Sequence, residues 1–193
     1  NKDFSQRGWD PVIGPFLDGG LMLLDFDEHR MHRKALSVAF KAGPMKSYLA
    51  SLNEGIAHGL AGWRAKGPDL VFYPAIKQLT LDLAAVSFLG TDVGPDVEAV
   101  KRAFVDMVAA AVSVIRKPLP FTQMAKGVAG RQFIIDYFGG QIDARRNGDG
   151  EDLFTHLCKA TTDDGSLLTR QEIIDHMSFL MMAAHDTLTS SFT

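Results

Sequence analysis

Apolar side chains recur at steps of three and four along most of this sequence, and each run of them predicts an amphipathic helix with one face turned to a core. Leu49, Leu52, Ile56, Leu60 and Trp63 form the first long stripe, after Pro44. Ile76, Leu79, Leu83 and Val86 form a second, and Val97, Val100, Phe104, Met107, Ala111 and Val114 a third. Ile134, Phe138 and Ile142 continue the pattern up to a polar, glycine-bearing loop at 145–150, and 153–160 reads as a short helix. Thr169 with Glu172 three residues later makes a capping box, each side chain meeting the other's backbone N–H, so a long helix starts there. Along it Ile173, Met177, Leu180, Ala184 and Leu188 share one side, while Phe179, Ala183 and Thr187 form an adjacent strip suited to a cavity.

The polar run 27–34 opens another helix that extends to about Phe40, and residues 1–24 lack periodicity, which predicts irregular coil with at most a short helix. Gly-Pro steps at 14–15, 43–44, 67–68 and 94–95 mark element boundaries. Alternation with period two, the mark of a half-buried strand, is missing. The pattern as a whole predicts an all-α chain, with residues 1–193 as a single unit without a linker.

Composition narrows this further. With 46% apolar and 22% charged residues over 193 positions, the chain has the make-up of a globular domain rather than a disordered or collagen-like one. A net charge of −3 gives no general field for nucleic acid. A single cysteine, Cys158, permits no internal disulfide and no multi-cysteine metal site, which fits a reducing, cytoplasmic setting. The longest strongly apolar stretch, 179–184, is far short of the roughly 20 residues a membrane helix needs, so no transmembrane segment is predicted in this chain; an upstream anchor stays open. The first residue is Asn1, and Thr193 follows no helix stop signal, so the chain is read as a partial domain truncated at both ends.

Two constellations carry candidate chemistry. His29 and Arg33 are one helical turn apart, so their side chains neighbour each other and can grip a carboxylate or phosphate, arginine as a bidentate fork and histidine as one further donor. A solvated basic face explains the same spacing, and His29 with His32 as metal ligands lacks a completing third group. The second is Ala183-Ala184-His185-Asp186-Thr187, inside the long helix. Two small residues permit a close approach to the backbone, threonine can bond the carbonyl four residues back, and Asp186 is an ionisable group in an otherwise apolar helix. Ordinary tight packing also accounts for it, and the His185-Asp186 dyad is shared with metal-dependent phosphohydrolases. Cys158 reads as a buried small hydrophobe, Lys101-Arg102 and Arg145-Arg146 as solvated helix faces, and Phe121 with Pro118 and Pro120 as a connection where an apolar lid can lie.

In this order the two constellations resemble the haem-thiolate monooxygenases, the cytochrome P-450 family. His29, Arg33 and the closing Ala39-Phe40 resemble the helix that the family places beside the haem propionates, and residues 183–187 resemble its oxygen-activating motif, with Ala184 where glycine is common and the bulky His185 at the variable position. Residues 80–83, running to Phe88-Leu89-Gly90, resemble a buried helix between them. The resemblance implies a fragment of the cytochrome P-450 fold whose complete enzyme binds haem b, iron protoporphyrin IX. Its reaction would insert one atom of O2 into a small apolar substrate with electrons from a redox partner. It also implies roles: His29 and Arg33 for the propionates, Ala183 and Ala184 lining the oxygen pocket, Phe179 and Ala183 near the substrate, Asp186 and Thr187 delivering protons. The family's proximal cysteine would lie beyond Thr193, so no iron ligand is expected in this chain and the 193 residues alone are expected to be inactive. The alternatives are a non-catalytic all-helical binding module and a metal-dependent phosphohydrolase using His185 and Asp186 with His29, His58 or His156.

Overall fold

A computed structural model describes residues 3–90 and 95–192, with the side chains of 95, 185 and 186 outside the described set. Eight α-helices follow one another: α1 (Asp10–Leu17), α2 (Phe26–Leu36), α3 (Ala42–Lys66), α4 (Phe72–Leu89), α5 (Pro95–Ala111), α6 (Gln123–Asn147), α7 (Leu153–Cys158) and α8 (Arg170–Ser191). Among the described residues there is no strand, only an isolated bridge between Thr161 and Leu167. The chain is all-α, as its periodicity predicts.

The centre is built from α5, α6 and α8. Ile134, Phe138 and Ile142 on α6 are fully buried, as their spacing requires, and meet Val100, Phe104 and Met107 of α5 and Ile173, Met177 and Met181 of α8 in one core. The close pairing of α5 with α6 depends on glycine. A Cβ on Gly130 would stand 2.8 Å from the Ala103 carbonyl oxygen, and one on Gly127 would collide with the Cβ of Ala110. At the start of α8 the capping box forms as predicted: the Glu172 N–H donates to Thr169 Oγ1 at 3.2 Å, and the Glu172 carboxylate accepts from the Thr169 N–H at 2.6 Å.

Several expectations need correction. Residues 1–24 are not coil: a 3-10 turn at Gln6–Trp9 leads into α1, whose Ile13, Phe16 and Leu17 enter the core, and Gly14-Pro15 lies inside that helix rather than at its edge. Pro15 is tolerated there because an eight-residue helix has few interior hydrogen bonds to lose. The α2 helix ends at Leu36 and continues as a 3-10 turn through Phe40. On α3 the stripe is only partly covered: Leu49, Ile56 and Leu60 are exposed, Leu52 packs against the core from a half-buried position, and Tyr48 is the helix's buried residue. On α4 the buried set is Ile76, Thr80, Leu81, Ala84, Ala85, Ser87 and Leu89, so the deep face lies to one side of the predicted stripe. Val114 lies past the end of α5 and is exposed.

Three basic residues read as solvated are tied into the structure. Lys101 is 3% exposed, paired with Asp82 at 2.5 Å and with Glu98. Arg145 donates to Asp152 at 2.5 Å and to the Leu89 carbonyl at 2.7 Å while lying over the Phe154 ring, and Arg146 donates to the carbonyls of Cys158 and Leu168. Arg116, in the connection between α5 and α6, donates to the carbonyls of Ala110 and Ala111 and also to those of Pro11 and Val12 in α1. Further along that connection Phe121 stands fully exposed with a positive φ of 66°.

Candidate functional site

The helix α2 starts under backbone constraint. Asp25 precedes it with its carboxylate held by the Ser5 hydroxyl and by the Gln6 N–H at 2.9 Å, contacts that keep its pKa below the usual range. Phe26 then takes a φ of 50°, a conformation that costs a residue with a Cβ about 1 kcal/mol or more. One turn later comes His29, half-buried, and after it Arg33, exposed and without a hydrogen-bond or ion-pair partner among the described residues. By contrast Arg30, about 60° further around the helix and not among the residues that line the cleft described below, is paired with Asp27 at 3.0 Å in solvent.

His29 and Arg33 face a cleft of about 470 Å³. Its walls include Phe4 and Gln6 from the amino-terminal segment, Leu21, Met22 and Leu24 from the turn before α2, and Phe179 from α8. Three of the residues singled out from sequence are therefore brought to one cavity, by helices whose starts lie 144 residues apart. The wall is apolar apart from Gln6, Asp25, His29 and Arg33, a combination suited to a flat apolar ligand carrying anionic groups at one edge.

The remaining candidates follow Phe179 along α8. Ala183 and Ala184 are partly buried. Thr187 is exposed, and its hydroxyl donates to the Ala183 carbonyl at 2.6 Å, the back-bond its type and spacing allow. Asp186, the other residue assigned to proton delivery, lies with His185 outside the described side chains. Cys158 is fully buried, and burial pushes its thiol up to about 12, which makes it a small core residue and a poor source of thiolate. Among the described residues no group of three His, Cys, Asp or Glu is placed to hold a metal ion.

Sequence reasoning missed one pair. His32 and His176, both buried, meet across the α2–α8 boundary with Nδ1 of His32 2.8 Å from Nε2 of His176. Glu172 Oε1 lies 3.5 Å from the other nitrogen of His32. Desolvation is the main cause that lowers His176 to about 4, so it is held neutral, while hydrogen bonds from the Thr169 N–H and hydroxyl keep Glu172 below the usual carboxylate range despite its burial. In the sequence a signal existed only for half of this: position 176 falls between core residues 173 and 177, so a histidine there had to be buried and in need of a partner.

No protein-family model matches the chain. Its sequence is 42% identical over its whole length to the protein named cytochrome P-450 136 of Mycobacterium tuberculosis, of which it spans 40%. It is 28% identical, over 86% of the chain, to cytochrome P-450 120 of Synechocystis, spanning 37% of that relative. Among solved structures it is similar to a cyanobacterial cytochrome of this group bound to retinoic acid, with a TM-score of 0.77 and 25% identity over 94% of the chain and 42% of the other. The chain therefore spans about two fifths of these relatives. Sequence and backbone agree on the same helices, those that build the cleft, and the chain belongs to the cytochrome P-450 superfamily as a helical portion of its fold.

Proposed function

We propose that the complete protein is a haem-dependent monooxygenase of small apolar substrates, and that this chain supplies the haem's carboxylate-binding edge and the substrate-facing helix. The observation that carries the proposal is the cleft that gathers His29, Arg33 and Phe179. The donor set fits the group: an unpaired guanidinium and an imidazole match two carboxylates, and an apolar wall matches a porphyrin face. The fit ends at the iron, because Cys158 is buried and neutral; a ligand for it has to come from sequence outside this chain.

In this reading a bound haem would supply the reductive activation of dioxygen. The chain's own residues bind and orient. Arg33 would hold a propionate through its guanidinium, and His29, one turn earlier, would add a hydrogen bond. Phe179 and Ala183 close the substrate side with apolar surface, which excludes water, and Ala184 leaves room beside the α8 backbone. Thr187 holds a hydroxyl proton at Oγ1 that turns away from the Ala183 carbonyl when a better acceptor is present, and Asp186 is the neighbouring acid that exchanges that proton with solvent.

The relatives do not favour the helical-module or phosphohydrolase readings. Haem b, O2, an electron-transfer partner and a cytoplasmic location follow from the same proposal; for location the support is the lone reduced Cys158, and no helix among the described residues is long and apolar enough to cross a membrane. The test is a carbon monoxide difference spectrum of the complete protein. A thiolate-type band that persists in Cys158→Ala supports the reading, and a protein that takes up no haem overturns it.

A further inference from the structure

Helix α2 reaches the cleft with three polar side chains on one arc. At about 100° per residue, His32 lies about 60° to one side of His29 and Arg33 about 40° to the other. Burial follows that order: His32 is 3% exposed, His29 half-buried and Arg33 exposed. The angle at which Arg33 stands over the cleft is therefore set by how His32 is seated. The other inward residues of α2, Ala35 and Leu36, make apolar contacts, which are non-directional and leave the helix free to roll by small angles. The directional contact on this face is the hydrogen bond between His32 and His176, and His176 precedes the cleft residue Phe179 by three positions on α8, so the bond lies about one helical turn from the cavity.

The donors can be assigned. Nε2 of His32 faces the Glu172 carboxylate and carries the proton, which leaves Nδ1 of His32 as the acceptor and makes Nε2 of His176 the donor. Nδ1 of His176 is then an unprotonated nitrogen, buried with no partner, a smaller penalty than an orphan N–H. The relay from His176 through His32 to Glu172 works in that one arrangement. The groups felt by His176 are His32, across the helix boundary, and Glu172, one turn back on α8.

We propose that His32 and His176 are positioning residues: their hydrogen bond fixes the roll of α2 and so holds Arg33 in the orientation that retains the anionic edge of haem. The proposal rests on the reading of the cleft given above. It extends that reading to two residues that never touch the ligand and ties haem retention to the seating of a buried pair.

The experiment measures haem transfer from the complete protein to excess haem-scavenging globin, with thermal stability followed on the same samples. His176→Phe removes the donor, whereas His176→Gln keeps an N–H near the position of Nε2. Expected are about fivefold faster loss in His176→Phe, the size of one net hydrogen bond, and a rate near wild type in His176→Gln. The double variant with Arg33→Ala is expected to lose haem no faster than Arg33→Ala alone, because the pair acts through that residue. In the wild type, loss is expected to accelerate as pH falls from 6 toward 4, where a charge on the buried His176 unseats the pair, and to do so more steeply than in His176→Gln, which has nothing to protonate at that position; this comparison holds even if His176→Phe does not fold. Superimposed pH profiles, additive effects with Arg33→Ala, or a His176→Gln variant as leaky as His176→Phe would each overturn the proposal. An unchanged rate in Arg33→Ala would overturn the cleft reading itself, a failure distinguishable from the others.

Discussion

The hydroxyl of Thr187 donates to the carbonyl oxygen of Ala183 one turn earlier, at 2.6 Å. The two residues that face the same side of α8 are thus joined by a bond that has to open before the hydroxyl can serve anything else. Thr187→Ala removes the donor while keeping a small apolar side chain, so substrate affinity in the complete enzyme is expected to change little. Coupling of reducing equivalents to product is expected to fall, with the difference released as peroxide. Product yield per electron together with peroxide assays checks this, and unchanged coupling would refute the role of Thr187.

Arg33 and Arg30 differ in where they stand on α2. Arg33→Ala is expected to weaken haem retention at least tenfold more than Arg30→Ala, since Arg30 gives up only a solvent-exposed pair with Asp27, worth about 0–1 kcal/mol. Haem content after gel filtration measures the contrast; equal content in the two variants would count against the cleft assignment.

Acid is expected to destabilise the fold through His176. Its folded-state value of about 4 lies below the ordinary 6.5, so the unfolded chain binds the proton first. Above pH 6.5 the group makes no difference; as pH falls from 6.5 toward 4 the native state loses up to about 3 kcal/mol, at about 1.4 kcal/mol per pH unit. Urea midpoints of wild type and His176→Gln, compared across that window, should converge at the acid end. Parallel curves would show that His176 does not titrate as its burial demands.

Gly130→Ala tests the α5–α6 contact. The new Cβ would meet backbone at 2.8 Å rather than a yielding side chain, so a loss of about 1–3 kcal/mol is expected, read as a lower urea midpoint with an unchanged slope.

Local order was legible in this sequence wherever a residue's partner is near in the chain or its stripe is deeply buried. Ile134, Phe138 and Ile142 show helical spacing because one side of α6 is wholly covered, and Thr169 with Glu172 is visible because both ends of the contact lie within four residues. The α3 stripe misled because periodicity reports a helix and its apolar side, not what lies against that side, and Leu49, Ile56 and Leu60 face away from the described core. Arg145 and Arg146 looked solvated because their partners, among them Asp152, Leu89 and Leu168, come from other elements. The cleft's His29, Arg33 and Phe179 were found one by one, whereas His32 and His176, separated by 144 positions, gave no sign of meeting.

The grip of Arg116 on four carbonyls divides the 112–122 connection into two mechanical parts. Its stem is fastened at once to the end of α5 and to α1, so a displacement there has to strip several charge-assisted hydrogen bonds together and drag the amino-terminal helix with it. The tip around Phe121, uncovered and already in a strained conformation, carries no such load. Any displacement in this region is accordingly expected to pivot just after Arg116, with the stem as a fixed post and the apolar tip free to move without loosening the helices that line the cleft.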